Sequence, residues 1–318
     1  MYYDMSENNL LPALSSDAIF GKSKRYIQKA LLRKESGDLD EYQLWASLAL
    51  ELLGKSALAQ IHPSLIVDPT HFQSLFAASG VNISTDVKTI AAHTLFERLR
   101  HLRPAFDEKV KIFCNAIAQR RNAELHSGEA PFRSMRTDAW EAQYWHAAQI
   151  ILEMVKSSLD DWLGASQAET PKTILKHAFE AKRQAVIIRV ERAREFFESR
   201  KKADRENALA EADSRHAYHY RNLFTLIGDN EWATKCPACG GKAFLTGTQI
   251  EEAVVDTYGN EDGAWESVEK TFSAEQFHCP VCDLFLDGTE EIEAAGLDVY
   301  HSENDEREME YEPGYGND

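Results

Sequence analysis

Apolar residues recur every three to four positions through the first half of the chain. Leu44, Leu48 and Leu52 fall at four-residue spacing, as do Trp140, Tyr144 and Ala148, then Ile151, Val155 and Leu159. Val110, Phe113 and Ile117 repeat the pattern on a segment that follows Pro104, a natural helix boundary. Asp17, Asp40, Asp86 and Thr137 stand where an N-cap is wanted, because a short oxygen-bearing side chain can accept from the free N–H groups of a first turn. β-Branched alternation is nearly absent between Ser16 and Gly164, so the pattern predicts several substantial helices packed as an all-helical bundle. Pro171 opens a second helical stretch, from Lys172 to about Ala212. Its apolar residues, among them Ile174, Leu175, Val186, Val190 and Phe197, make one stripe among alternating charges, as in a long connecting helix. After Trp232 short β-rich runs appear at Ala243–Gln249, Ala253–Tyr258 and Val268–Phe277, with a turn signal at Gly259–Gly263.

Composition narrows the class. The chain has 318 residues, 43% hydrophobic and 27% charged, ordinary values for a folded globular protein. No apolar run approaches the roughly 18 residues of a membrane span, and Met1-Tyr2-Tyr3-Asp4 lacks the basic-then-apolar order of a secretory signal. The expected location is the cytoplasm, with no membrane partner. A net charge of -17 looks hostile to nucleic acid, yet from Glu290 onward eleven carboxylates face one arginine, which reads as a solvated tail. The body is only mildly acidic. It carries basic clusters at Lys22–Lys34, at Arg98–Arg103 and at Arg120 and Arg121, and a local basic face can hold phosphate whatever the net charge.

The cysteines are the most specific signal. Cys236-Pro237-Ala238-Cys239 and Cys279-Pro280-Val281-Cys282 are paired C-x-x-C knuckles, whose four thiolates meet the tetrahedral demand of structural zinc. Gly240 and Gly241 suit the positive φ of such a turn. Closed four-cysteine sites stabilise a fold and do no chemistry, so the expected cofactor is structural Zn²⁺, with no catalytic metal. His278 is read as a bystander and Cys114 as a core residue. The expected organisation is mainly α: a helical bundle at 1–165, a connecting helical region at 166–230, a small β zinc ribbon at 231–290 and a poorly ordered acidic tail at 291–318.

Candidate chemistry sits in Arg121-Asn122-x-x-x-His126, late on the helix that follows Pro104. Asn122 and His126 are four apart and share a face. Arg121 is one position round, with a long forked side chain. A permanent cation, a neutral amide and an acid/base group together suit phosphodiester cleavage: arginine for the charge growing on phosphorus, histidine for the proton of a 2′-hydroxyl or a leaving oxygen. Spacing alone does not single out this trio. Arg121-Asn122-x-x-x-His126 resembles the R-polar-x-x-x-H signature of the HEPN family. The upstream segment Leu44–Lys55, with Glu51 and Lys55 four apart, resembles that family's early helix. Glu51 and Lys55 either support the site or form a plain i,i+4 pair.

The likeness covers roughly residues 15–165. It implies a metal-independent endoribonuclease with catalytic Arg121, Asn122 and His126, leaving 2′,3′-cyclic phosphate ends from RNA. It further implies a composite site shared by a homodimer paired through the bundle, and a toxin or antiviral-defence role alongside an antitoxin or defence-system partner protein. The alternative is a non-catalytic RNA- or protein-binding adaptor whose ribbon recruits a partner. Other signals fail. Gly21-Lys22-Ser23 and Gly54-Lys55-Ser56 lack the upstream glycine of a P-loop, since Ser16 and Ala49 stand there. His216-Ala217-Tyr218-His219 reads as a polar helix end or a metal pair.

Overall fold

Ser15 accepts from the Ala18 N–H and starts helix α1 (Ser16–Glu35), and Asp38 accepts from the Glu41 N–H to start α2 (Leu39–Ile61). A 3-10 turn at Pro63–Ile66 leads to α3 (Phe72–Ala78), α4 (Ala92–Leu102), α5 (Glu108–His126, capped by Asp107), α6 (Thr137–Met154) and α7 (Leu159–Leu163). The expected caps are therefore displaced. Asp17 and Asp40 lie inside the first turns of α1 and α2, Thr137 is the first residue of α6, and Asp86 precedes α4 in irregular chain. A carboxylate is stabilised anywhere in the first turn by the helix dipole, so acidic residues mark the neighbourhood of a start more sharply than the cap itself.

The computed structural model describes residues 10–216, 228, 230–260 and 263–308. Two units divide the chain, Met1–Ala178 and Phe179–Asp318. In the first, α2 packs against α1, α4, α5 and α6. Its innermost residues are Tyr42, Ala46, Ala49, Leu50, Leu53 and Ala57, while the Leu44, Leu48 and Leu52 stripe is half-buried along one flank. Small residues on the inner face let several helices approach one axis. The Tyr42 hydroxyl donates to Glu141 Oε1 at 2.6 Å, and Lys34 pairs with the same carboxylate. The stripe Ile151, Val155, Leu159 is broken in space, because Lys156 takes φ 53° between α6 and α7.

α8 (Ala165–Glu198) starts before the expected position, directly after Gly164, and carries Pro171 inside it; α9 (Lys202–Asp213) follows a break at Ser199–Lys201. The single apolar stripe of the sequence is shared out. Ile174 and Leu175 pack on the first core, whereas Val186, Val190 and Phe197 join the second.

The second unit is built on a sheet: β1 (Asn230–Lys235), β2 (Lys242–Asn260), β3 (Gly263–His278), β4 (Phe285–Asp287) and β5 (Tyr300–Glu308), with α10 (Thr289–Ala294) between the last two. All pairings are antiparallel. β1 pairs β2, β2 pairs β3, and one edge of β3 is shared by β4 and β5. The mainly α expectation with a small ribbon is thus overturned: a five-stranded sheet with strands of 19 and 16 residues makes this a mixed α and β chain.

Two features hid the sheet. The runs Ala243–Gln249 and Ala253–Tyr258 are one strand, because register shifts between Gln249 and Glu251 and between Val254 and Asp256 absorb the break in alternation. The acidic segment after Glu290 is also corrected. Residues 300–308 form β5, whose Asp305 takes Lys270 at 2.6 Å and whose Arg307 reaches Glu252 at 2.6 Å and also Glu266. Cross-strand neutralisation of this kind stabilises charge on a strand. Residues 309–318 and 217–219, the latter in the His216–His219 segment, lie outside the described residues.

Candidate functional site

Two arrangements carry chemistry, one in each unit. In the second unit, β1 and β2 flank the first knuckle, and β3 and β4 flank the second. The knuckles are copies of one backbone design. The Cys236 N–H donates to Gly241 O at 2.9 Å and the Gly240 N–H to Cys236 O at 3.0 Å; the Cys279 N–H donates to Leu284 O at 3.0 Å and the Asp283 N–H to Cys279 O at 2.9 Å. The residue after each second cysteine is left-handed, Gly240 at φ 72° and Asp283 at φ 60°. Gly241, expected to share that conformation, does not have it. It is small for another reason: a Cβ there would meet Leu209 at 2.8 Å and Val281 at 3.0 Å.

Folding back brings Cys236, Cys239, Cys279 and Cys282 together with all four sulfurs within 4.8 Å of one another. Cys236–Cys282 are 3.6 Å apart and Cys239–Cys279 3.5 Å. A tetrahedral ion with metal–sulfur bonds of about 2.3 Å needs sulfur–sulfur edges of roughly 3.8 Å, so these four cysteines could hold a metal ion. Hydrogen bonds from Cys236, Cys279 and Cys282 draw the Cys239 thiol well below its ordinary value, and hydrogen bonding to Cys236 first, then Cys239 and Cys282, pushes Cys279 up. Metal ligation requires thiolates, so a divalent cation bound here would displace the thiol protons. His278 stands outside this ligand set, with its Nε2 2.8 Å from Asp283 Oδ1. Cys114 is buried in the first core, where burial pushes its thiol up.

In the first unit, α5 places Arg121 against α2, on the buried side it shares with Val110, Cys114, Ile117 and Ala118. Arg121 is 9% exposed and pairs through Nη1 with Glu51, while its Nε–H donates to Asn122 Oδ1 at 3.1 Å. Glu51 also takes Lys55 at 2.9 Å, and Lys55 donates to Thr89 Oγ1 at 3.1 Å. Burial raises the Glu51 carboxyl, but the charges of Lys55 and Arg121 and their hydrogen bonds outweigh it and hold the group below its ordinary value of 4.5. Glu51 and Lys55 do form the i,i+4 pair, and the same carboxylate reaches 70 residues along the chain to Arg121. That partnership was invisible in the spacing, although the Glu-x-x-x-Lys pair pointed to the residue.

Asn122 and His126 are exposed, His126 as the last residue of α5, which ends at Ser127. The trio is therefore split between an anchored guanidinium and a solvent-facing amide and imidazole. The other basic clusters are largely engaged: Arg98 with Leu65 O at 2.6 Å, Arg100 with Glu97 at 3.0 Å, Arg103 with Glu153 at 2.8 Å, and Lys29 over the Trp45 ring at 4.5 Å. Among the described residues no helix is long and apolar enough to cross a membrane. No family model matches the chain, and neither the curated proteins nor the solved structures contain a match to it.

Proposed function

We propose that the chain is a metal-independent endoribonuclease of the HEPN type. One observation carries the reading: a guanidinium locked in place by a buried ion pair stands one residue from an exposed amide and five from an exposed imidazole on the same helix. The Glu51–Lys55–Arg121 group has a net charge of +1, so Arg121 retains attraction for a phosphate while its orientation is set before substrate arrives. In cleavage His126 takes the proton of the 2′-hydroxyl, the 2′-oxygen attacks phosphorus, and the 5′-oxygen departs as it gains a proton. The products are a 2′,3′-cyclic phosphate and a 5′-hydroxyl. Arg121 offsets the charge on the phosphorane and Asn122 positions a phosphate oxygen. One imidazole per chain supplies either the base or the acid, which favours a homodimer in which a second His126 fills the other role. A toxin or defence role, with an antitoxin or defence-system partner, rests on the family resemblance alone.

For the four-cysteine cluster we propose zinc. An all-thiolate tetrahedral donor set suits it, and a closed site stabilises the second unit without entering the reaction. Five cysteines free of disulfides suit a reducing compartment, which we take to be the cytoplasm.

The test is RNA cleavage by wild type and His126→Ala protein in magnesium-free buffer, with product ends mapped. Cyclic-phosphate ends made by wild type alone are expected; equal cleavage by both proteins sinks the reading. A second reading, a non-catalytic RNA-binding adaptor, draws on the pairing of Arg121 with Glu51, which leaves the guanidinium already compensated. An inert wild type that still binds RNA would favour it.

A further inference from the structure

α1 presents a face that the proposed reaction does not use. Lys22, Arg25, Lys29 and Arg33 follow one another at three- and four-residue intervals. That spacing places them within about 80° of one another round the helix at 3.6 residues per turn. All four are exposed. The two carboxylates of α1, Asp17 and Glu35, fall about 120° from the midline of this stripe, so no acid of its own helix interrupts it. The apolar line of α1, with Ile19, Ile27, Ala30 and Leu31, is on the other side and buried in the first core.

Arg33 has an acid opposite it, Glu41 at 2.9 Å. Among the described residues no carboxylate pairs with Lys22, Arg25 or Lys29. The two lysines are held over aromatic rings instead. Lys29 Nζ lies 4.5 Å from the centroid of Trp45 and 5.5 Å from that of Tyr26, and Lys22 Nζ lies 5.5 Å from the same Tyr26 ring. Tyr26 and Trp45 meet edge to face at 5.2 Å. A ring orients an ammonium group but brings no opposite charge. Two ammonium groups thus share one ring without a counter-ion, in a chain whose net charge is -17. The field they make with Arg25 is local, oriented and uncompensated, and an anion from outside the chain relieves it.

The extent of the stripe specifies the anion. Lys22 to Lys29 covers about 10 Å of helix axis at 1.5 Å per residue, with a cation on every turn, which is more than one phosphate or carboxylate can meet. A chain of phosphates meets it at several points. A membrane surface does not suit it, because a helix that docks on lipid turns its apolar side to the acyl chains, and that side of α1 is buried in the bundle. The Tyr26 and Trp45 rings are covered by the lysines and by each other, so the contact is to backbone phosphates and not to base faces. α2 carries the supports of both surfaces: Trp45 lies under Lys29, and six residues on, about 9 Å along the axis, Glu51 holds Arg121. We infer that Lys22, Arg25 and Lys29 form an RNA-backbone site, which holds substrate outside the cleavage position without regard to base sequence. That the polyanion is RNA rests on the ribonuclease reading; the uncompensated stripe does not.

The experiment is fluorescence anisotropy of the full chain with two single-stranded 12-nucleotide RNAs, oligouridylate and oligoadenylate, carrying 2′-O-methyl groups throughout to remove the attacking hydroxyl. Lys22→Gln/Arg25→Gln/Lys29→Gln should weaken binding of both at least tenfold and flatten the dependence of log K on log salt by about 2.1, three phosphate contacts at roughly 0.7 each. Lys22→Arg/Lys29→Arg keeps the charges and should bind within about threefold of wild type. Unchanged affinity and salt slope in a triple variant with wild-type circular dichroism overturn the stripe. Should the triple variant misfold, Arg25→Glu at its exposed position decides in the same way. A preference above about tenfold for one of the two RNAs overturns backbone contact. Competition by a 12-residue polyglutamate as strong as that by unlabelled RNA, or stripe-dependent binding to phosphatidylserine vesicles without binding to RNA, overturns the assignment to RNA. Cleavage by a wild type whose binding ignores the stripe removes the stripe and leaves the ribonuclease reading standing. Stripe-dependent binding by a wild type that cleaves no RNA supports the stripe and removes the nuclease.

Discussion

The knuckles of the second unit and the Arg121–His126 segment of the first are both short signatures, and they achieve precision differently. Each knuckle is a closed local structure: four residues, a left-handed turn and two backbone hydrogen bonds place two sulfurs, and hairpin pairing places the other two. The α5 segment is local only in part. Its helix sets Asn122 and His126 on one face, but Arg121 owes its orientation to a carboxylate on α2. A local device tolerates changes elsewhere in the molecule, whereas a long-range ion pair depends on the packing of two helices.

That contrast can be broken most severely at the sulfurs. Cys279→Ser should drop the bound zinc, measured by elemental analysis, from about one per chain to near none. It should also make the second unit sensitive to limited proteolysis while the first remains resistant, because metal binding of this kind is itself folding energy. A variant that keeps its zinc and its protection would refute the assignment of the cluster as a structural centre.

On the helical side, Glu51→Ala leaves the Arg121 guanidinium buried without its counter-charge, and the loss of a buried partner costs about 3–5 kcal/mol. Urea denaturation should show this as a shift in midpoint at constant slope, and Glu51→Ala/Arg121→Ala should recover part of the loss. Additive losses in the two single variants would mean that the pair is not coupled. Glu51 also sets a pH dependence. Its folded value lies below 4.5, so its contribution to stability is complete above 4.5 and is lost as pH falls through the lowered folded value. Glu51→Gln should flatten the acid limb of the stability curve. An unchanged limb would place acid sensitivity elsewhere.

His126→Ala sharpens the same comparison from the exposed side. Its stability should stay within about 0.5 kcal/mol of wild type, as expected for a surface position, so any loss of cleavage reports chemistry and not folding. The smallest effect belongs to the turn. Gly240→Ala, at φ 72°, should cost about 1 kcal/mol while zinc binding persists, read as a lowered melting temperature of the second unit.

Much of this architecture was legible. The cysteine spacing located the four-cysteine cluster that could hold a metal ion, because a C-x-x-C turn is determined by its own few residues. Helical periodicity located most helical segments of the first unit, though the leucine stripe of α2 turned out to be a flank: with small residues packed on several sides, the most apolar line is not the most buried one. The sheet was under-read. Bulges interrupted the two-residue period of β2, and the carboxylates of β5 resembled a solvated tail until Lys270 and Arg307 were seen against them.

From its amino acids alone, then, the chain specified whatever a few neighbouring residues can settle: helix periods, the two thiol turns, and the amide and imidazole on one face of α5. Only the tertiary structure decided which distant charges meet. Glu51 and Arg121 lie 70 residues apart, and nothing local to either distinguishes a buried partner from a solvated side chain. Burial strengthens such a pair and also makes it costly to break, and burial is a property of packed helices, not of the order of residues within one of them.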